Sequence, residues 1–328
     1  MEHNKKLFIS IETVLAVIVV SLAFIMLKEN SSKDLRKISV VVQGSDDKQW
    51  AAFRYGLEMA ANDYGTQMVF ANTSDNLTAA EEIEIIKREI HNGADAIIVQ
   101  PVPGDGMEEM LREIDNKVPV MLAGCTASAN KEESLLPVTE PDNYSMGRTL
   151  AEELLSDYNG NIKGKTLGIA SENDSQEAVI NRMDGVLDVL EAEGAIVCWS
   201  VAGSLGETGE NSLDKQQSVD IVVALDDSSL VTACSFSAAN NLHGALVYGT
   251  GHSTEALYYL DTGVAECLVV PDEFNKGYRS LAEASKGAKY FFRRMNDRPV
   301  SYTVIRKDEL FLPQNQEILF TMNQEILH

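Results

Sequence analysis

The amino-acid sequence predicts an α/β protein with two doubly wound, Rossmann-like lobes of parallel sheet, preceded by one N-terminal transmembrane helix. Three features of the chain indicate this class. Residues 7–27 form an almost uninterrupted apolar run. From residue 36 onward, short β-branched runs alternate with longer amphipathic segments, which is typical of βαβ units and a parallel sheet. The alternation starts again after Pro141, and 328 residues are enough for two such units.

The N-terminal apolar run is long enough to cross a bilayer, since about 20 apolar residues span the hydrocarbon core. Only Ser10, Glu12, Thr13 and Ser21 interrupt it. A cleaved signal peptide usually has a shorter run followed by a small-x-small site, whereas the only such triplet here, residues 21–23, lies inside the run. We therefore expect an uncleaved membrane tether, with a cleaved signal peptide as the alternative. Lysines on both sides of the run leave its orientation open.

The charge of the chain argues against a nucleic-acid partner. The sequence has 27 Lys and Arg residues against 50 Asp and Glu residues, a net charge of −23. Residues 1–35 contain four lysines and four acidic residues, so the net negative charge belongs to the body that follows. A surface this acidic repels phosphate backbones.

The first predicted half alternates four strands with three helices. Each strand is short and almost entirely apolar, as expected when helices cover both faces of a sheet. The strands are predicted at residues 38–43, 67–71, 96–100 and 118–122, and the helices at residues 50–63, 79–92 and 106–116.

The second predicted half repeats this pattern. Its helices are expected at residues 144–158, 176–193 and 228–241, and its strands at residues 166–170, 195–201, 221–224 and 245–249. Three elements remain to be placed: a strand at residues 267–270, a helix at residues 275–296 and a strand at residues 302–305.

The residue types that support catalysis or metal binding do not form recognisable motifs. The sequence contains no G-x-S-x-G, no P-loop lysine motif and no metal-binding histidine cluster, and its four cysteines have no metal-ligand spacing. We expect a protein that is not an enzyme and has no cofactor or metal. The cysteines are expected to be mostly buried free thiols, with a disulfide as the alternative.

Candidate binding residues come from the segments that follow the strands, because ligands of open parallel sheets bind beyond the carboxyl ends of the strands. The segment after the first strand contains Asp46, Asp47 and Trp50. Gln100 ends the third strand, and Cys125 follows the fourth. In the second half, Asp226 follows one strand, and Thr250 follows the next.

A family resemblance adds to this interpretation. Residues 92–101, with the sequence NGADAIIVQP, resemble the strand motif of ribose-type sugar-binding proteins, which belong to the periplasmic binding protein type 1 family and share their fold with the cores of lac-repressor-like regulators. Further matches, in the order and spacing of the family, are Gly56, Asp142, Asn143, Gly147, Arg182, Gly185, Asp226, Asp227, Pro271 and Asp272. A repressor would need a helix-turn-helix before the core, where this chain has its apolar run.

The resemblance implies that the chain crosses a hinge between the lobes three times, near residues 136–141, 269–272 and 300–303. One lobe is then expected to comprise residues 36–138 and 271–300. The other is expected to comprise residues 139–270 and 301–328.

The sugar-contacting positions of the family carry over unevenly. Trp50 matches an aromatic position that stacks on a sugar ring, and Asp46 or Asp47 fits the neighbouring polar contact. Gln100 and Asp226 can replace side-chain amides of the family. The Asp-Arg pair expected after the fourth strand is Gly124 and Cys125 here, Thr250 replaces an aspartate, and Val269 and Ile180 replace a glutamine and an arginine. Trp50 packing beneath its helix, and the paired acids acting as helix caps, are the alternatives.

The missing polar groups leave the ligand open. It is more apolar than ribose, differently positioned, or a cation partnered by Asp46, Asp47 and Asp226, and a non-binding homologue is a further alternative. Together with the apolar run at residues 7–27, the resemblance predicts an extracytoplasmic, single-pass membrane protein with a monomeric ectodomain that closes on a small, sugar-like ligand. Its partner is expected to be an ABC permease, or a membrane histidine kinase if the chain is a sensor subunit.

Overall fold

The computed structural model describes residues 35–46, 48–128, 134–206, 211–289, 294–313 and 315. The predicted α/β class is confirmed: these residues form two six-stranded sheets and eight α-helices. The predicted transmembrane segment, residues 7–27, lies outside the described residues. Within the described part of the chain, no helix has both the length and the apolar character needed to cross a membrane.

The first sheet has six strands, all parallel, in the order β11-β5-β4-β3-β1-β2. They are β1 (Lys37–Val41), β2 (Gln67–Phe70), β3 (Ala96–Val99), β4 (Val120–Ala123), β5 (Val138–Pro141) and β11 (Arg298–Val300). The helices that connect or precede strands of this sheet are α1 (Ala51–Tyr64), α2 (Ala79–His91), α3 (Met107–Asp115) and α8 (Glu273–Lys289).

The second sheet has the order β12-β10-β9-β8-β6-β7 and is parallel except for β12, which runs antiparallel to β10. Its strands are β6 (Thr166–Ser171), β7 (Ile196–Ala202), β8 (Ile221–Ala224), β9 (Leu246–Thr250), β10 (Ala265–Pro271) and β12 (Tyr302–Ile305). Its helices are α4 (Asn143–Asp157), α5 (Glu177–Leu190), α6 (Asp227–Ala238) and α7 (Thr254–Thr262).

Burial explains why the central strands are apolar throughout. Every residue of β3, β4 and β8 is buried, because side chains on both faces of the strand pack into hydrophobic clusters beneath the helices. Ile97 and Ile98, for example, are adjacent in β3 and belong to clusters on opposite faces of the sheet. Alternation of polar and apolar residues is therefore absent from the strands that position the site.

In the described part of the chain, the backbone passes between the sheets at three places: between β5 and α4, between β10 and α8, and between β11 and β12. Strand β5 belongs to the first sheet through Pro141. We propose that residues 36–138 and 271–300 form one lobe and that residues 139–270 and 301–328 form the other. The sheets to which the strands belong support this division, except that β5 extends the first lobe to Pro141.

Sequence patterns did not indicate three short elements. Strand β5 contains Glu140 and Pro141, β11 has only three residues, and α7 is a nine-residue helix whose N-cap is Ser253. Strands this short contain too few residues for a period to show, and α7 has too few turns for its apolar face to stand out.

Candidate ligand cleft between the two sheets

The carboxyl ends of the strands in both sheets face a cleft with a volume of about 510 Å³. Segments that follow β1, β2, β3 and β4 form one wall, and segments at the ends of β6, β7, β8 and β9 form the other. The residues at the chain crossings after β5 and β10 close its base. This is the position at which open parallel sheets bind ligands.

Hydrogen bonds between the segments after β1 and β2 hold the first wall together. The Gln43 amide donates to the main-chain oxygen of Asp75. The N–H of Ser45 donates to Thr73 Oγ1 at 3.1 Å, and the N–H of Thr73 donates to Ser45 Oγ at 3.0 Å. A Cβ on Gly44 would lie 3.0 Å from Asp75 Oδ1, so glycine allows the two segments to approach each other.

Trp50 lies at the N-cap of α1 and lines the cleft with an edge, since only 6% of the residue is exposed. Its Nε1 donates to the main-chain oxygen of Gln43 at 3.1 Å. Its ring packs edge-on against Phe53, with the centroids 5.7 Å apart. The indole therefore supports the floor of the cleft and presents little of its face to a ligand.

The segment after β3 contributes Gln100 and the following residues to the same wall. Pro101 and Pro103 have no N–H, so Val102 supplies the only main-chain donor among these three residues. That N–H donates to Glu82 Oε2 at 2.9 Å, and Glu82, on α2, is fully buried. Burial raises the pKa of Glu82 to about 8, against the smaller lowering effect of this hydrogen bond. A buried carboxyl thus anchors the wall.

Asp226 forms part of the second wall and is also the N-cap of α6. Its Oδ1 accepts from the N–H of Ser229 at 2.8 Å, and its Oδ2 accepts from the N–H of Glu172 at 2.7 Å. Burial raises the pKa of Asp226, and these hydrogen bonds oppose the effect. The same carboxylate therefore caps α6 and lines the cleft.

Arg182 reaches the cleft from α5. Its Nε donates to Asn143 Oδ1 at 2.9 Å, and one terminal nitrogen donates to the main-chain oxygen of Leu225 at 2.6 Å. Burial lowers the pKa of Arg182, and the nearby carboxylate of Asp226 counteracts that change. The guanidinium therefore connects α4, α5 and the end of β8 behind the second wall.

A buried ion pair lies at the base of the cleft, in the first turn of α8. Lys276 Nζ is 2.5 Å from Glu273 Oε2, and the residues are 6% and 4% exposed. Burial by itself would raise the pKa of Glu273, but Lys276, His252 and Arg182 together lower it below its ordinary value. The carboxylate therefore stays ionised and holds the ammonium in place.

Polar contacts join the two walls on either side of the cleft. His252, after β9, places Nε2 3.3 Å from the main-chain oxygen of Gln49. The loop that carries it is held by Asp227 Oδ1, which accepts the N–H of His252 at 2.6 Å. On the other side, the Gln176 amide donates to Cys125 Sγ at 3.5 Å. The walls therefore contact each other through polar groups that can separate without disrupting a hydrophobic core.

The comparisons with known proteins agree with this geometry. A family model described as a periplasmic binding protein domain matches residues 38–289. The chain belongs to this family. The sequence-based resemblance is thereby confirmed, and so is the prediction that the chain is a binding protein and not an enzyme. No curated protein sequence matches the chain significantly.

Three solved structures illustrate the likeness in fold. A carbohydrate transporter solute-binding protein from Agrobacterium radiobacter, in complex with D-arabinose, is 17% identical with a TM-score of 0.74, covering 88% of this chain and 100% of its own. A glucose-galactose binding protein from Geobacillus stearothermophilus is 19% identical, with a TM-score of 0.72 and coverages of 86% and 100%. An ABC transporter solute-binding protein from Bacillus halodurans with bound myo-inositol is 18% identical, with a TM-score of 0.71 and coverages of 89% and 100%.

The structure of this periplasmic binding protein brings four of the predicted site residues together. They are Trp50, Gln100, Asp226 and Thr250, all of which line the cleft. Their roles in binding remain predictions.

The other three predicted residues are placed differently. Asp46 is exposed and is not among the described residues that line the cleft. Asp47 lies outside the described residues. Cys125 is fully buried behind the first wall, and burial raises the pKa of its thiol to about 12. Because Cys125 has no exposed surface, it cannot touch a ligand in this structure.

Sequence reasoning missed the charged residues at the base and back of the cleft. In the sequence, Arg182 is only one of the family matches, Lys276 lies within the predicted helix at residues 275–296, and Glu273 lies just before it. The acid and the lysine are three residues apart, immediately after the predicted strand at residues 267–270, which is the pattern of an ion pair in a first helical turn. Within the described ranges, no group of three His, Cys, Asp or Glu residues is arranged to hold a metal ion.

Proposed function

We propose that this periplasmic binding protein is an extracytoplasmic solute receptor that closes its two lobes around a small, sugar-like ligand and delivers it to an ABC transporter. The observation that carries the proposal is the cleft itself. It is enclosed by strand ends from two sheets that the chain joins at three crossings, and both walls contribute polar side chains.

Charged and amide groups at the cleft favour a ligand with many hydroxyls over an apolar one. Gln100 and Lys276 offer donors from one side, and Asp226 offers acceptor capacity from the other. Each hydroxyl that leaves water must be hydrogen bonded again or costs about 1–3 kcal/mol. The solved relatives that contain D-arabinose and myo-inositol suggest that sugars and cyclic polyols are the first ligands to try.

Family membership also supports the location and the partner. A periplasmic binding protein acts outside the cytoplasm, and two of the similar structures are described as transporter components. We propose that residues 7–27 tether the chain to the membrane, with the binding lobes extracytoplasmic and the ABC permease as partner. The apolar run of 21 residues without a convincing cleavage site supports the tether.

The tether is tested by fractionating the native cells and by mass spectrometry of the N-terminus. We expect the intact chain in the membrane fraction. A mature chain that begins between about residues 24 and 33, after a cleavage of the signal-peptide kind, would show instead that the segment is removed.

Ligand binding is tested with the full-length protein in a detergent without a sugar headgroup. The panel contains D-arabinose, D-fucose, D-galactose and myo-inositol, followed by amino acids, nucleosides and polyamines. Thermal shift identifies binders, and calorimetry measures affinity. We expect at least one sugar or polyol to bind with micromolar or tighter affinity.

Tryptophan fluorescence then locates the site, because the chain has only two tryptophans. Trp50 lines the cleft, whereas Trp199, in β7, is not among the described cleft residues. The Trp199→Phe variant should show a ligand-dependent change in emission, and the matched Trp50→Phe variant should not. A ligand that binds by calorimetry but alters only Trp199 emission would place the site elsewhere.

A further inference from the structure

Lys276 carries more hydrogen-bond donors than its carboxylate partner uses. Its ammonium has three N–H groups, and the Glu273 carboxylate forms an ion pair with it from one side. The rings of Trp50 and Phe53 lie beneath it, with their centroids 5.9 Å and 5.4 Å from Nζ. These contacts fix the position of the charge, because the rings attract the cation from one side and the carboxylate from another.

Gln100 brings a second donor to the same point. A Cβ built on Gly124 would lie 3.3 Å from Gln100 Nε2 and 3.5 Å from Lys276 Nζ. The two nitrogens therefore converge on the space over the Cα of Gly124. Among the described residues, none accepts a hydrogen bond from the Gln100 amide nitrogen. Gly124 has a φ of +86°, which favours glycine and keeps side-chain atoms out of this space.

The convergent donors require an acceptor when the cleft closes. A donor that loses its water without gaining another partner destabilises the closed state, and a charged donor does so more strongly than an uncharged one. Gln100, Gly124 and Lys276 all line the cleft. An oxygen of a ligand bound there can replace water as the acceptor for both nitrogens.

The charge of the cleft decides which kind of oxygen is accepted. Among the described residues, two with cationic side chains line it, Arg182 and Lys276, against the five carboxylates of Asp75, Glu172, Asp226, Asp227 and Glu273. Glu273 already compensates the ammonium of Lys276. A carboxylate on the ligand would add a further negative charge to a site that is acidic and poorly solvated, whereas a hydroxyl would not.

We infer that Lys276 and Gln100 form an oxygen-binding subsite over Gly124 that selects a ligand with an uncharged hydroxyl at this position. The inference rests on the proposed function, because it assigns a specificity-determining pair within the same cleft. Glu273 acts as a positioning residue that orients Lys276.

The test is calorimetry with the tightest-binding sugar or polyol of the panel, using the full-length protein and the variants Lys276→Met and Gln100→Leu. We expect each substitution to weaken binding at least tenfold. Methionine retains most of the stem that packs on Trp50 but has no donor. D-Galacturonic acid has a carboxylate in place of the C6 hydroxymethyl group of D-galactose, and it should bind at least tenfold more weakly than D-galactose.

The matched control is Lys286→Met. Lys286 lies on the same helix and pairs with a buried glutamate three residues earlier, Glu283, at 2.8 Å, but it does not line the cleft. Glu283 keeps Arg298 as a second partner when this lysine is removed. Binding by this variant should change less than twofold.

Lys276→Met leaves Glu273 buried without its cation, so folding is checked by thermal unfolding. If that variant does not fold, Lys276→Met combined with Glu273→Gln removes both charges and is titrated instead. A folded variant of either kind that keeps wild-type affinity overturns the subsite, as does a preference for galacturonic acid.

The two proposals fail in different ways. If the wild type binds only a nucleoside, amino acid or polyamine, the sugar function is wrong, and the same variants test the subsite with that ligand. If a sugar binds and either substitution is silent, only the subsite is wrong. If nothing in the panel binds, both are wrong.

Discussion

A single buried carboxyl makes the wall of the cleft sensitive to pH. Glu82 accepts the N–H of Val102, the only main-chain donor between two prolines that line the cleft. Its second oxygen, Oε1, has no hydrogen-bond partner among the described atoms. The carboxyl is desolvated, and no cation among the described residues compensates it, which is why burial raises its pKa from 4.5 to about 8.

This pKa makes a prediction about stability. Above about pH 4.5 the unfolded chain releases the Glu82 proton, whereas the folded protein retains it up to about pH 8. Protonated Glu82 therefore contributes its full stabilisation of the fold below about pH 4.5, and this contribution is lost as the pH rises through about 8. A tenfold difference in proton affinity between the folded and unfolded states corresponds to about 1.4 kcal/mol. Glu82→Gln cannot ionise, so its free energy of unfolding should exceed that of the wild type by a few kcal/mol at pH 9. The two should converge near pH 4.

Urea unfolding of both proteins at pH 4, 7 and 9 measures this difference. Glu84→Gln is the control, because Glu84 lies on the exposed side of the same helix and pairs with Lys87. A difference between Glu82→Gln and the wild type that is the same at every pH would contradict a pKa near 8.

At the scale of secondary structure elements, each lobe contains one pair of helices that cross at glycines. In the first lobe, a Cβ on Gly56 of α1 would lie 2.0 Å from the main-chain oxygen of Phe274 in α8. In the second, a Cβ on Gly147 of α4 would lie 2.0 Å from the main-chain oxygen of Arg182 in α5. These crossings place the backbone of α8 and α5, and thus Lys276 and Arg182, at the cleft.

Gly147→Ala should therefore damage both stability and binding. The added methyl group cannot fit without separating α4 from α5, and overpacking of this kind costs about 1–3 kcal/mol. Because Arg182 moves with α5, ligand affinity should fall as well. Unfolding in urea and calorimetry measure the two effects.

Gly206→Ala is the control for the stability measurement alone, because Gly206 itself lines the cleft. The nearest atom to a Cβ at Gly206 is 3.7 Å away, on Thr232, which is an ordinary contact. If Gly147→Ala is as stable as Gly206→Ala, the helices are not held as closely as these distances indicate.

At the scale of the whole binding domain, two sheets are joined by three short crossings and bridged by a few polar contacts. The bonds from His252 to the first wall and from Gln176 to Cys125 are single hydrogen bonds between the lobes. Bonds of this kind contribute about 0.5–1.5 kcal/mol each, so a ligand that contacts both walls can shift the equilibrium between open and closed lobes.

We expect ligand binding to close the lobes by a hinge motion. Small-angle X-ray scattering should show a smaller radius of gyration at saturating ligand than without it. A sugar that shows no binding by calorimetry, at the same concentration, controls for solvent contrast. A radius of gyration that no binding ligand changes would rule out the clamp.

The sequence by itself determined the α/β class, the two successive halves and the segments in which the cleft residues lie. These follow from local patterns, since strand and helix periods, and the place of a residue after a strand, can be seen in neighbouring residues. Family membership was predicted in the same way, from the order and spacing of residues such as those at 92–101.

Only the tertiary structure decided which side chains face the cleft. Trp50 turns most of its ring inward because its N–H bonds to the main chain of Gln43, and Cys125 is covered by Gln176 from the other lobe. Lys276 meets Gln100 over Gly124, although these residues are far apart in the chain. Such contacts depend on how distant segments of the chain pack in three dimensions. They cannot be deduced from the residues that are adjacent in the sequence.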